Sequence, residues 1–313
     1  MTGKIFTSFL LILIMFLIYQ MAPLTLSSEE IRFVVPLNEA GGVTVLERLK
    51  NEKIIRNLPV FQILSVVSKI PPVIEPGAYK IKRNLWLPQI VNILMHNPYQ
   101  KWALLKPGLR KEQVAEILAK NFKWDKSIEE EFLSLTEEGF LFPDTYLFDV
   151  EENPQYFINK IKNNFNEKFN AKFQADLLAR DVRNDTAIKI ASLIERESGT
   201  DDDKALIAGI IWNRLETDMK LQIDATSQYI LGKPGDWWPR IKPADHKRES
   251  PYNTYLYKGL PPGPISNPSL ASIKAAVYPA QTECLYYIHD KNKLIHCSKT
   301  YEEHLEYINQ YLK

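Results

Sequence analysis

No charge of either sign dominates this chain: 39 Lys and Arg face 38 Asp and Glu over 313 residues. That balance excludes the basic surplus on which electrostatic nucleic-acid binding depends. Histidine is scarce, at five residues, and cysteine scarcer, at two. Neither His289 nor His296 stands at a metal-ligand spacing, so the sequence implies no zinc site and no cofactor. No cysteine lies near the N-terminus to take a lipid, and no A-x-A cleavage signal follows the first apolar run. The chain carries no internal repeat and no low-complexity tract.

What is present begins with residues 5–22, IFTSFLLILIMFLIYQMA, which hold no charge. As a helix they span about 27 Å, close to a hydrocarbon core of roughly 30 Å, and Leu24 and Leu26 can extend the span. Lys4 precedes the run and Glu29 and Glu30 follow it, which keeps the basic end in the cytoplasm. A cleaved signal peptide fits less well, because its basic region would hold one Lys and its apolar run is overlong. The expectation is a cytoplasmic tail at 1–4, an uncleaved transmembrane helix at 5–22, and the rest of the chain outside the cytoplasm. The remainder, 45% hydrophobic and 25% charged for the whole sequence, has an ordinary globular composition and room for one large or two modest domains.

Periodicity divides that remainder into an α+β pattern. Residues 31–36 read as a strand, 43–50 and 58–67 as helices, the EPGAY turn at 75–79 as the entry to a strand, and 87–95 as a helix. Together they make a small module over 31–97. A second, mixed α+β domain is expected over 102–313. It opens with a strand at 102–105 and a helix at 111–121, followed by the aromatic loop GFLFPDTY at 139–146. Helical patterns follow at 154–178, 186–198 and 203–215. From Gln222 onward Pro and Gly cluster and the chain reads mainly as loop, with a short helix at 269–277 and a closing helix at 301–312. Between those two helices, CLYYIHDKNKLIHC reads as a hairpin turning near Lys291. It sets Cys284 and Cys297 roughly opposite each other, either disulfide-bonded or as two small apolar residues.

The stretch TAIKIASLIERESG at 186–199 is the most informative. Stepping about 100° per residue, Ile188, Ile190, Ala191, Leu193 and Ile194 span one arc, and Lys189, Ser192 and Arg196 form the opposing polar stripe. Glu197 falls inside the apolar arc, four residues after Leu193, whereas Glu195 falls nearer its margin. A carboxylate on the buried side of a helix is costly unless it is used, so Glu197 is the stronger catalytic candidate. Asn213, Arg214, Gln222, Asp224, Thr226, Tyr252 and Asn253 could furnish a polar groove beside it, with Trp237 and Trp238 as nearby aromatics. Amide, hydroxyl and aromatic groups together suit a carbohydrate. Turn-capping by the Asn residues and packing by the Trp pair are the alternatives.

Several blocks resemble the endolytic murein transglycosylase, or YceG-like, family: IASLIERESG, IAGIIWNRL, MKLQIDATSQYILG and SPYNTYLYKGLPPGPISNPSLASIKAAVYPA. GFLFPDTY, EPGAY and KTYEEH match as well. They keep the family's order over roughly 33–313. The resemblance implies a membrane-anchored bacterial lytic transglycosylase that cuts the bond between N-acetylmuramic acid and N-acetylglucosamine within peptidoglycan strands, leaving 1,6-anhydro ends. It maps the family's catalytic glutamate onto Glu197, makes the 31–97 module LysM-like, and implies peptidoglycan, the cytoplasmic membrane and peptidoglycan synthases as partners. A non-catalytic glycan-binding scaffold for those synthases is the alternative. Ala225 stands where many relatives carry Pro, and the Cys pair is a local addition.

Overall fold

The computed structural model describes residues 2–38, 43–67, 74–96 and 98–312. The chain divides into two compact units, Met1–Ala103 with Tyr146–Glu152, and Leu104–Thr145 with Asn153–Lys313. The mixture of helices and strands is the α+β class expected from the sequence; the module's end, expected at Asn97, lies outside the described residues.

The first unit begins with helix α1 (Thr2–Met21), followed by strand β1 (Glu30–Val35), helices α2 (Val43–Asn51) and α3 (Leu58–Val67), strand β2 (Gly77–Lys82) and helix α4 (Leu87–Met95). Alternation along β1 sends Phe33 and Val35 into the core. The strand pairs antiparallel with β2, placing Phe33 opposite Tyr79 and Val35 opposite Gly77. Strand β3 (Gln100–Leu104) lies beside β2, and β4 (Thr145–Asp149) completes a sheet of order β1-β2-β3-β4. The helices bury Leu49, Phe61, Ile90 and Leu94 in the same core as Phe33. Strand β4 was not visible in the sequence, where its first residues, Thr145 and Tyr146, read as the end of the aromatic loop.

A transmembrane helix was expected at residues 5–22, where the structure has α1. Among the described residues, no helix is long and apolar enough to cross a membrane. The described side chains of α1 run from Ile5 to Met21. They are nevertheless apolar and exposed, Phe6, Phe9 and Met15 among them.

The second unit is helical. Helices α5 (Lys111–Phe122), α6 (Lys126–Leu135), α7 (Pro154–Lys168) and α8 (Ala171–Leu178) lead to α9 (Asn184–Glu197). Asp125, Asn153 and Asn170 cap α6, α7 and α8, each accepting a backbone N–H of the first turn. Helix α9 is the centre of the core: Ile188, Ile190, Ala191, Leu193 and Ile194 are fully buried. The opposing polar stripe expected on α9 is not a solvent face. Ser192 is fully buried, accepts the Ile265 N–H at 3.1 Å, and its carbonyl accepts the Ser266 hydroxyl at 3.1 Å. The 264–267 segment therefore covers the side that the arc left open.

Helix α10 (Lys204–Glu216), α11 (Asp224–Leu231), α12 (Leu270–Val277), the strands β5 (Tyr286–His289) and β6 (Ile295–Ser298), and α13 (Tyr301–Tyr311) complete the unit. Helix α11 lies in the region read as loop. Gly209 lets the chain cross α10 closely on its way to β5, because a Cβ there would collide with the Ala280 carbonyl. The β5–β6 hairpin pairs Tyr287 with Cys297, and Cys297 is bonded to Cys284 with the Cα atoms 5.8 Å apart. The bridge closes a loop with a separation of 13 residues. Replacing both cysteines with alanine is expected to lower stability by about 2–4 kcal/mol; thermal unfolding of the purified chain, with and without reductant, measures it.

Candidate active site

Glu197 is the last residue of α9, so its side chain emerges where the core helix ends. Three elements converge on it. The Tyr287 hydroxyl, from β5, donates to its Oε2 at 2.7 Å. The Ala225 amide, in the first turn of α11, donates to the carboxyl as well. The third is the end of α10, which brings in Arg214. Burial pushes the Glu197 pKa above the usual carboxylate range; the Tyr287 hydrogen bond opposes the shift, and the negative charge of Asp224 adds to it. The Tyr287 hydroxyl is in turn pushed well up by burial and by Glu197, so it stays a proton donor near neutrality.

Glu197 opens on a cavity of about 400 Å³. Of the groove candidates, Arg214, Gln222 and Asp224 line it; Tyr255, Tyr286, Tyr287, Tyr301 and His304, which the sequence did not single out, line it too. Arg214 is held by its Nε donating to the Leu285 carbonyl at 2.6 Å and its Nη1 to the Leu221 carbonyl. Its charge therefore stays near Glu197 while its hydrogen bonds tie β5 to the chain before α11. Gln222 takes a left-handed backbone (φ 50°), and its N–H donates to the Thr254 carbonyl at 3.1 Å. Such a conformation persists in a non-glycine only where its surroundings fix it. The Asp224 carboxylate accepts from the Tyr255 hydroxyl, whose ring stacks on His246 at 3.8 Å.

The other groove candidates hold the backbone. Asn213 donates to the carbonyls of Thr282 and Cys284, at 2.8 and 3.0 Å, anchoring the strand that leads to Tyr287. Thr226 bonds Thr254 at 3.0 Å inside the core, and Asn253 donates to the His246 and Arg248 carbonyls. Tyr252 packs on Tyr229, 5.0 Å between ring centroids. None of these four lines the Glu197 cavity. Trp237 and Trp238 donate to Glu116 and Gln113 of α5, both at 3.0 Å, and Arg196 lies 3.8 Å over the Trp238 ring.

Glu195 is consumed by the fold. Its Oε2 accepts the Ser269 N–H at 2.8 Å and the Ser269 and Ser272 hydroxyls at 2.6 Å each, with Lys204 at 3.5 Å. It thus fixes the N-terminal turn of α12. Glu138 plays a similar part: it accepts the Lys111 N–H and the Asn267 amide, and burial pushes its pKa to about 8. Among the described residues no group of three or more His, Cys, Asp or Glu side chains is placed to hold a metal.

Residues 34–310 match a family model described as YceG-like. The endolytic murein transglycosylase of Bacillus subtilis (strain 168) is 34% identical over 175 residues, 56% of this chain and 48% of that protein. The endolytic murein transglycosylase of Streptococcus pneumoniae (serotype 2, strain D39) is 32% identical over 155 residues, 49% of this chain and 28% of that protein. The chain thus matches about half, or less, of the length of these curated relatives. The crystal structure of a Listeria monocytogenes protein described as yceG-like aligns with a TM-score of 0.63 and 27% identity, covering 90% of this chain and 99% of that one.

The arrangement makes a spectroscopic prediction. In protein labelled with 13C at glutamate carboxyls, the Glu197 resonance, assigned by its loss in Glu197→Gln, should titrate above the usual carboxylate range. Tyr287→Phe removes the opposing hydrogen bond and should move that titration further up; an unmoved titration contradicts the contact.

Proposed function

The chain belongs to the YceG-like family, and from that premise we propose that it is a lytic transglycosylase acting on peptidoglycan. In this reading Glu197 cleaves the bond between N-acetylmuramic acid and N-acetylglucosamine within glycan strands. The observation that carries it is the Glu197 carboxyl, its pKa raised by burial, the one acid of the ERES motif that lines this cavity. The names of the Bacillus and Streptococcus relatives support the substrate class.

The chemistry needs one carboxyl used twice. Protonated Glu197 gives its proton to the glycosidic oxygen as the C1–O bond breaks. The C6 hydroxyl of the muramoyl sugar then attacks its own C1, and the carboxylate takes the hydroxyl proton. The product is a 1,6-anhydro ring, no water is consumed, and Glu197 ends protonated. Burial suits the first step by keeping the acid protonated near neutrality. Tyr287 donating to Oε2 favours the proton on Oε1, the oxygen left for substrate. Arg214 offsets the negative charge that Glu197 carries between the two steps. Asp224, rather than Glu195, is the second carboxylate of the cavity; a hydrolysing enzyme would use it to activate water.

Membrane attachment belongs to the same proposal, supported by the exposed apolar side chains of α1, and so does a place at the cell wall. The LysM-like character of the first unit is proposed on its β-α-α-β order, with β1 and β2 paired. Synthase partners rest on the resemblance alone.

Glu197→Gln should keep the circular-dichroism spectrum of the parent and lose about 10²–10⁴-fold of its glycan-cleaving rate. Parent activity should fall as pH rises through the raised Glu197 pKa, because the acid form is then lost. A Glu197→Gln variant as active as the parent contradicts the assignment, and a parent that binds glycan without cleaving it indicates a scaffold.

A further inference from the structure

The closing motif KTYEEH brings two side chains into the Glu197 cavity for which the chemistry above has no use. Thr300 caps α13 by accepting the Glu303 N–H at 3.2 Å, and the Glu303 carboxylate accepts the N–H groups of Lys299 and Thr300 at 3.1 and 3.3 Å. This reciprocal cap fixes the first turn of the helix. Tyr301 and His304, three residues apart, then share a helix face, and both line the cavity.

Tyr286 of β5 completes the group. Its ring lies 5.4 Å from His304 at an interplanar angle of 30°, and 5.7 Å from Tyr301. The Arg214 guanidinium lies 5.3 Å from the Tyr286 centroid. Two features of this wall are unexplained by packing alone. Tyr301 is 53% exposed although it belongs to an aromatic cluster. The His304 Nδ1 is buried and has no hydrogen-bond partner, a costly state for a polar atom. Burial and Arg214 both hold the His304 pKa below its ordinary value, so the ring is neutral at neutral pH and offers one donor and one acceptor.

A cluster of aromatic rings lining an open cavity fits a molecule with an apolar face and a hydroxylated rim. A pyranose has that form. Its axial C–H groups lie against an aromatic face, and its hydroxyl and acetamido groups reach sideways for hydrogen bonds.

We propose that Tyr286, Tyr301 and His304 form a sugar subsite in the Glu197 cavity, holding one N-acetylhexosamine ring of the glycan with its apolar face against the aromatic wall. The proposal rests on the reading of the cavity as a glycan site. It assigns KTYEEH a task in holding the strand while Glu197 acts. Tyr301 supplies stacking area, His304 backs the wall by stacking on Tyr286, and Tyr286 links both to the hairpin that positions Tyr287.

The test separates binding from cleavage. Full-length protein carrying Glu197→Gln, which removes turnover, is titrated by calorimetry with peptide-free glycan strands. In that background Tyr301→Ala and His304→Leu should each weaken binding about tenfold, the scale of one lost aromatic or polar contact. Tyr301→Trp should restore affinity, which a purely structural role for the ring would not require. Because Tyr301 is largely exposed, its melting temperature should stay close to the parent's, and it carries the test if His304→Leu folds poorly. Unchanged affinity in Tyr301→Ala overturns the subsite, as does failure of the Glu197→Gln parent to bind. If glycan binds with the expected losses but wild type does not cleave it, the transglycosylase reading fails and the subsite stands. If wild type cleaves and Tyr301→Ala binds like its parent, the subsite alone fails.

Discussion

The site depends on the burial of a single carboxyl at the end of a core helix. Helix α9 is buried on its apolar arc and also on the side that carries Ser192, and its half-buried last turn presents Glu197 to the cavity. A carboxyl placed there must stay protonated or find donors, because an isolated buried charge costs far more than the rest of the fold supplies. The structure provides two donors, the Tyr287 hydroxyl and the Ala225 amide, and the guanidinium of Arg214 nearby. This is enough to orient the acid while burial still holds its pKa up. Much of the second unit can be understood as the means of bringing those partners in. Gly209 lets the chain cross α10, Asn213 and Arg214 hold it by its carbonyls, and the disulfide ties the base of the hairpin.

The two glutamates of the ERES motif are separated by environment, not by chemistry. Glu195 and Glu197 are two residues apart, yet one oxygen of Glu195 accepts three hydrogen bonds from the start of α12 with Lys204 beside it. The hydrogen-bonding capacity of that oxygen is taken up by the fold. Glu197 has fewer partners and lines the open cavity. The same division appears among the amides: Asn213 and Asn253 resemble groove residues in sequence but are spent on carbonyls, which makes them supports of the cavity and not its lining.

The long, periodic elements were legible in the sequence because their apolar spacing is regular. Helices α3 and α4 and the α9 arc are of this kind, and so is the turn that makes the hairpin. What escaped was short or set by distant contacts. Helix α11 has eight residues in a stretch punctuated by Pro and Gly, and its start is fixed by Thr254, not by a local cap. Strand β4 is set by its place beside β3, far earlier in the chain, in the four-stranded sheet of the first unit. Tyr287 lies 90 residues beyond Glu197, and no spacing rule connects them. The N-terminal run reads as a membrane span from its composition, and it forms helix α1, although among the described residues no helix is long and apolar enough to cross a membrane.

The central claim is that one carboxyl acts as acid and then base, with the substrate's own C6 hydroxyl in place of water. Mass spectrometry of glycan ends released from purified peptidoglycan by the full-length protein tests it most directly. The account predicts muramoyl ends lighter than a hydrolysed reducing end by one water, formed by wild type and not by Glu197→Gln. Reducing ends bearing that water, with Asp224 then standing as the second carboxylate, would contradict it.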